Sequence, residues 1–199
     1  MATTTVDGAS PTGPARPWTR VLRRWPTLLA LGMAAATLGG GDVSEIVAGY
    51  GEALFLLPLL YLVVGKLERR GASWPVLVAG FAVMTGLRLL DVVSAPVALT
   101  GVALAALAWS AASHLAGDRV HEPRLLAAQA AGMVGFGALA VAGLALDVEV
   151  GRWLVAAGWL LHGVWDAVHL RLDKVVSRSY AEWCAVVDVL VAVQLAFLV

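Results

Sequence analysis

Charge is what this sequence has least of. Asp, Glu, Lys and Arg together make up 14% of its 199 residues, about half the share of an ordinary soluble domain. The 14 basic and 14 acidic residues cancel, so no net positive field exists to attract nucleic acid. Cysteine is nearly absent. Cys184 on its own forms neither an internal disulfide nor a thiolate metal site, which excludes a disulfide scaffold and a CxxC redox enzyme. Lysine occurs only as Lys66 and Lys174, both between apolar segments.

What is present is apolar. Hydrophobic residues make up 60% of the chain and the mean hydropathy is +0.82. Length alone allows one globular domain with a sizeable core. The polar residues are too few to cover the surface of such a domain, so the surplus must face lipid. A soluble enzyme and a disordered chain are both excluded, and an all-α, multi-pass integral protein of the cell membrane is expected.

Residues 1–22 read as a disordered cytoplasmic leader, because the stretch MATTTVDGASPTGPARPWTR is rich in Thr, Pro, Gly and Ala without periodicity. The run after Arg23-Arg24 carries a small-residue pattern, ALGMAAA, like that of a signal-peptide cleavage site. Six more apolar segments follow it, so it reads as a first membrane helix. Spans are expected at about 25–40, 46–65, 74–92, 97–116, 124–146, 152–170 and 181–199, forming a single seven-helix domain over 23–199. Each has roughly the 17 to 25 residues needed to cross a hydrocarbon core of about 30 Å. With the N-terminus cytoplasmic, the cytoplasmic segments hold Arg16, Arg20, Arg23, Arg24, Lys66, Arg69, Arg70, Arg119, Arg124, Arg171, Lys174 and Arg178. Only Arg88 and Arg152 fall toward the other side. This positive-inside bias favours seven spans with the C-terminus outside. Trp18, Trp25, Trp74, Trp153 and Trp183 are expected at the interfaces, and Trp109, Trp159 and Trp165 deeper.

The polar residues left inside the spans are costly, roughly 2.5–3.5 kcal/mol each at mid-helix, and so mark function. The densest set is in GWLLHGVWDAVHLR: His162, Asp166 and His169 stand at i, i+4 and i+7, within about 60° on one helix face. The short connection to the last segment makes it an antiparallel neighbour. That places Glu182 near the level of His169 and Asp188 near that of His162, with His114 on the same side. His162, Asp166, His169, Glu182 and Asp188 are therefore the candidate catalytic set. A divalent ion such as zinc is a candidate ligand of His162, Asp166 and His169, although the HExxH spacing is missing. The bland alternative is a hydrogen-bonded packing network between helices.

A second polar layer lies toward the outer side. Glu45, Gly49 and Glu52 repeat the same spacing, and Arg88 and Asp91 stand in TGLRLLD. Glu52, Arg88, Asp91 and His114 are candidate pathway residues, with Arg88 suited to an ion pair with Glu52 or Asp91. Pro58 is expected to kink its helix one turn or so beyond Glu52. Cys184 and the Gly39-Gly40-Gly41 break read as structural. The last helix has no lysine, so a Schiff base of the microbial-rhodopsin kind is excluded. Three functions remain: a small membrane-embedded enzyme acting on a lipid or other apolar molecule through its His/Asp/Glu site; a proton-coupled transporter; and a non-catalytic assembly protein.

Overall fold

A computed structural model describes residues 21–37, 41–90, 94–117 and 120–199. Most of the expected leader, residues 1–20, and Asp91 lie outside the described residues. Those described are helical and contain no strand. The helices are α1 (Trp25–Thr37), α2 (Val43–Leu67), α3 (Ser73–Leu90), α4 (Ala95–Leu115), α5 (Pro123–Ala145), α6 (Val148–Leu172) and α7 (Arg178–Phe197). A short 3-10 turn, Arg70–Ala72, leads into α3. Five are long and apolar enough to cross a membrane: α2, α3 with its 3-10 turn, α4, α5 and α7. α1 is short at 13 residues. α6 has the length, but two His, an Asp and three Trp lower its apolarity.

Local chemistry sets the boundaries. Asp42 caps α2, accepting from the Ser44 backbone N–H at 2.8 Å. The Ser44 hydroxyl, which also donates to it, and this N–H hold the Asp42 carboxyl below its ordinary range. Asp147 caps α6 in the same way, accepting from Glu149 N–H at 3.0 Å. Proline opens α4 and α5, where its missing N–H costs nothing. α2 ends on Glu68 and α6 on Asp173, both in the left-handed region, and the Asp173 N–H closes on His169 O at 2.8 Å. Arg152 on α6 donates to Leu195 O at 2.7 Å, satisfying a carbonyl left open at the end of α7.

α2 is the axis of the bundle, with every residue from Gly51 to Leu62 buried. It packs against α3, α4, α5 and α6, while α7 packs on α6 and α1 covers α7. α3 and α4 lie at the periphery with most of their apolar surface exposed. Lipid tails are as apolar as leucine, so helix association there depends on close packing. Gly151 supplies it. A Cβ at that position would stand 2.2 Å from Gly143 O, so α5 and α6 meet backbone to backbone. Trp109, expected deep, faces out of the bundle, while Trp183 and Tyr180 are buried within it. Trp183 and Tyr180 are covered by Trp74, with ring centroids 5.4 and 5.8 Å away.

Candidate functional site

α6 and α7 form an antiparallel hairpin joined by residues 173–177. A rise of about 1.5 Å per residue puts the middle of each helix at the same depth. Gly163 lets them close up there, since its absent Cβ would lie 3.2 Å from the Cβ of Asp188. Next to this contact the hairpin brings together His162, Asp166 and Asp188, all three fully buried. His162 Nδ1 lies 2.8 Å from Asp188 Oδ2 and 3.3 Å from Asp166 Oδ2. Tyr61 of α2 donates its hydroxyl proton to Asp166 Oδ1 at 2.5 Å. The Phe136 ring stands edge-on to the imidazole, its centroid 4.9 Å away.

Three polar atoms of the cluster have no hydrogen-bond partner: His162 Nε2, Asp166 Oδ2 and Asp188 Oδ1. Such atoms are rare in a folded interior, and each calls for an explanation. So does the local charge. Two carboxylates beside a neutral imidazole carry two negative charges in a medium that tolerates none. Balance requires two positive charges, delivered as protons or as one divalent cation. The donor set fits a cation, because ligand atoms of His162, Asp166 and Asp188 lie within 4.8 Å of one another.

His169 shares the helix face of His162 but has other partners. Its Nδ1 donates to Trp165 O at 2.9 Å, and its Nε2 accepts from the Gln129 amide at 3.1 Å. Its ring centroid is 4.9 Å from that of Tyr61. Asp188, not His169, is the third member of the compact group. Glu182 turns away to α1, accepting from Thr27 at 2.7 Å and Arg24 at 3.2 Å. His114 is exposed near the end of α4. Glu52 pairs with Arg88, which donates to it at 2.7 and 2.9 Å. From Ala53 to Leu60 every residue of α2 is apolar and buried, which separates that pair from Tyr61 and Asp166.

Two cavities approach the cluster. One, of about 410 Å³, sits at the end of the bundle carrying Arg70 and Lys174 and reaches Gln129. The other, of about 470 Å³, lies toward the opposite end between α1, α2, α3, α6 and α7. Its walls are mostly apolar, including Met33, Phe81, Met84 and Trp159, and Asp188 is part of them. Sequence reasoning passed over Tyr61 and Gln129. Both were visible as single polar side chains within apolar runs, LLYLVV and AAQAAG. Comparison with protein-family models, curated proteins and solved structures finds no match.

Proposed function

We propose that the protein is a small enzyme of the cell membrane, acting on a lipid or other apolar substrate, with seven spans, a cytoplasmic N-terminus and an outer C-terminus. One observation carries this reading: Asp188 belongs both to the buried His162–Asp166–Asp188 cluster and to the wall of an apolar cavity. A substrate in that cavity meets a titratable cluster screened from water, the arrangement that general acid–base catalysis uses. Asp188 links the cavity wall to the cluster, His162 exchanges a proton with it through Nδ1, and Asp166, held by Tyr61, stands 3.3 Å from the same nitrogen. A divalent cation bound by these three would supply Lewis acidity to a substrate oxygen. The seven-span topology is supported by the basic residues, which gather in alternate connections and leave only Arg88 and Arg152 elsewhere.

The test is conversion. Purified protein in nanodiscs made from a total membrane lipid extract should change the abundance of specific lipids, followed by mass spectrometry. Asp166→Asn and Asp188→Asn should abolish the change, and Glu182→Gln should leave it intact. Zinc or manganese at one equivalent, lost on His162→Ala, identifies the metal-assisted form. A lipid profile unaltered by the wild-type protein would overturn the enzyme reading.

A second reading, proton-coupled transport, is favoured by one specific arrangement. The 410 Å³ cavity reaches Gln129, whose amide bonds His169; His169 touches the ring of Tyr61, and Tyr61 bonds Asp166. Polar groups thus run from one cavity to the other. Liposomes carrying the protein and a trapped pH dye should then dissipate an imposed pH step faster than empty ones, and Asp166→Asn should remove the difference. No acceleration at all would sink this reading.

A further inference from the structure

Three connections meet at the end of the bundle that carries Arg70 and Lys174, and ion pairs tie each to the others. Glu68, just after α2, holds His121, just before α5. Its Oε1 accepts from the His121 backbone N–H at 2.7 Å, and its Oε2 stands 3.2 Å from the ring Nδ1. The next residue, Glu122, accepts from Lys174 in the α6–α7 turn at 2.6 Å. Asp173 of that turn pairs with Arg70, two positions beyond Glu68. The three pairs thus close a ring through the chain, and all six residues line the 410 Å³ cavity. Each of these side chains is at least 38% exposed, whereas Gln129 in the same wall is buried. The charges form the rim and the amide lies within.

The rim also contains a strained backbone. Val175 has a φ of +68°, a left-handed conformation that costs a β-branched residue energy. Around it Val176 N–H donates to Lys174 O at 2.9 Å, closing a three-residue turn. Arg70 grips this turn on both sides, pairing with Asp173 and donating through Nε to Val176 O at 3.0 Å. Just beyond, Ser177 N–H is fixed to Ser73 Oγ at 3.0 Å. The turn sets Val175 against α2, where its Cγ1 would stand 3.5 Å from a Cβ at Gly65.

We propose that this ring is a salt-sensitive clasp over the 410 Å³ cavity, with Val175 as its spring. Exposed ion pairs are individually weak and screened by salt, so they fasten the three connections reversibly, as packed leucines would not. When Arg70 lets go of Asp173, Val175 relaxes from its left-handed conformation and its side chain turns off Gly65. The rim then widens toward Gln129, whose amide bonds His169. The clasp controls entry of water-soluble molecules from that end, whether the inner cluster catalyses or transports.

Leu126, in the same wall, reports entry. In nanodiscs, Leu126→Cys should react slowly with N-(2-hydroxyethyl)maleimide, a neutral, water-soluble reagent indifferent to the charge of the rim. Raising NaCl from about 0.01 M to about 1 M shortens the screening length from about 30 Å to about 3 Å. Labelling should then speed up roughly threefold to fivefold, the upper part of what an exposed ion pair contributes. Added to Leu126→Cys, Arg70→Gln should be as fast at low salt and gain little more from salt. Lys174→Glu should also be fast, and Glu122→Lys beside it should restore slow labelling. Val175→Gly removes the strain and keeps the pairs, so labelling should stay slow and respond less to salt. Cys184 is buried and should stay unreactive throughout, which shows the bundle intact. If Arg70→Gln fails to fold, the salt series on Leu126→Cys alone decides. Labelling unmoved by salt would overturn the clasp, as would an exchanged Glu122–Lys174 pair that stays fast. Faster labelling in Val175→Gly would overturn the spring.

Discussion

Tyr61 and Tyr180 are both buried aromatic rings with a hydroxyl, and the two differ in what that hydroxyl does. Tyr61 donates to Asp166 Oδ1, whereas the Tyr180 hydroxyl meets no nitrogen or oxygen partner, only the weakly accepting sulfur of Cys184. Removing a donor from a buried carboxylate leaves the acceptor bare, at a cost of about 1–3 kcal/mol. Removing an idle hydroxyl costs nothing of that kind. Tyr61→Phe should therefore lower the melting temperature in nanodiscs by several degrees, while Tyr180→Phe leaves it unchanged or slightly raised. Equal effects from the two substitutions would show that the Tyr61–Asp166 bond contributes nothing. Helical spacing alone placed His162 and Asp166 on one face, and the antiparallel turn gave Asp188 its depth. It did not reveal that Tyr61 of α2 would reach in, because that depends on which face of α2 meets α6.

Between elements, small residues decide which helices touch. The α5–α6 contact at Gly151 is backbone against backbone, and a carbonyl cannot move aside as a flexible side chain can. Gly151→Ala should force the helices apart and destabilise the protein by about 1–3 kcal/mol, in the range of overpacked interiors. Gly101→Ala on peripheral α4, where nothing lies within 4 Å, is the control and should be silent in the same melting experiment. Helix existence was readable from hydropathy: the expected spans and the observed helices overlap segment by segment, with ends shifted by a few residues. Partners between helices were much less readable. Glu182 looked like a neighbour of His169 by depth, but the packing of α1 on α7 offers it Arg24 and Thr27 instead. The same cover buries Trp183, which by position alone looked interfacial.

Across the described residues most of the basic side chains sort by height. Lys66, Arg70, Lys174 and Arg178 gather near one end of the bundle, while Asp42, Glu45, Asp147 and Glu149 lie near the other. The proposed topology, with the N-terminus cytoplasmic, would make the basic end cytoplasmic. The lone Cys184 is buried, so introduced cysteines can be probed with little background. Lys174→Cys should react with a membrane-impermeant maleimide only after cells are opened, and Val148→Cys should react on intact cells. The opposite pattern would invert the orientation. The compact site was legible at this scale too, as the few titratable residues stranded in apolar sequence. Its composition was legible only in part, because His169 and Asp188 compete for the third place and only packing chooses between them.

His162, Asp166 and Asp188 all lie within the final hairpin, α6 and α7, and this bears on how the chain is made. During synthesis α6 would reach the membrane first, carrying an imidazole and a carboxylate with no partner on α7. α7 would follow with Asp188 alone in the apolar stretch CAVVDVLVAV. Neither inserts comfortably alone, and each supplies what the other lacks. The two helices are best delivered together, as a pair already joined across the His162–Asp188 contact. A ribosome that stops between them would leave a stranded charge in the bilayer, a mark by which membrane quality control can recognise an unfinished chain.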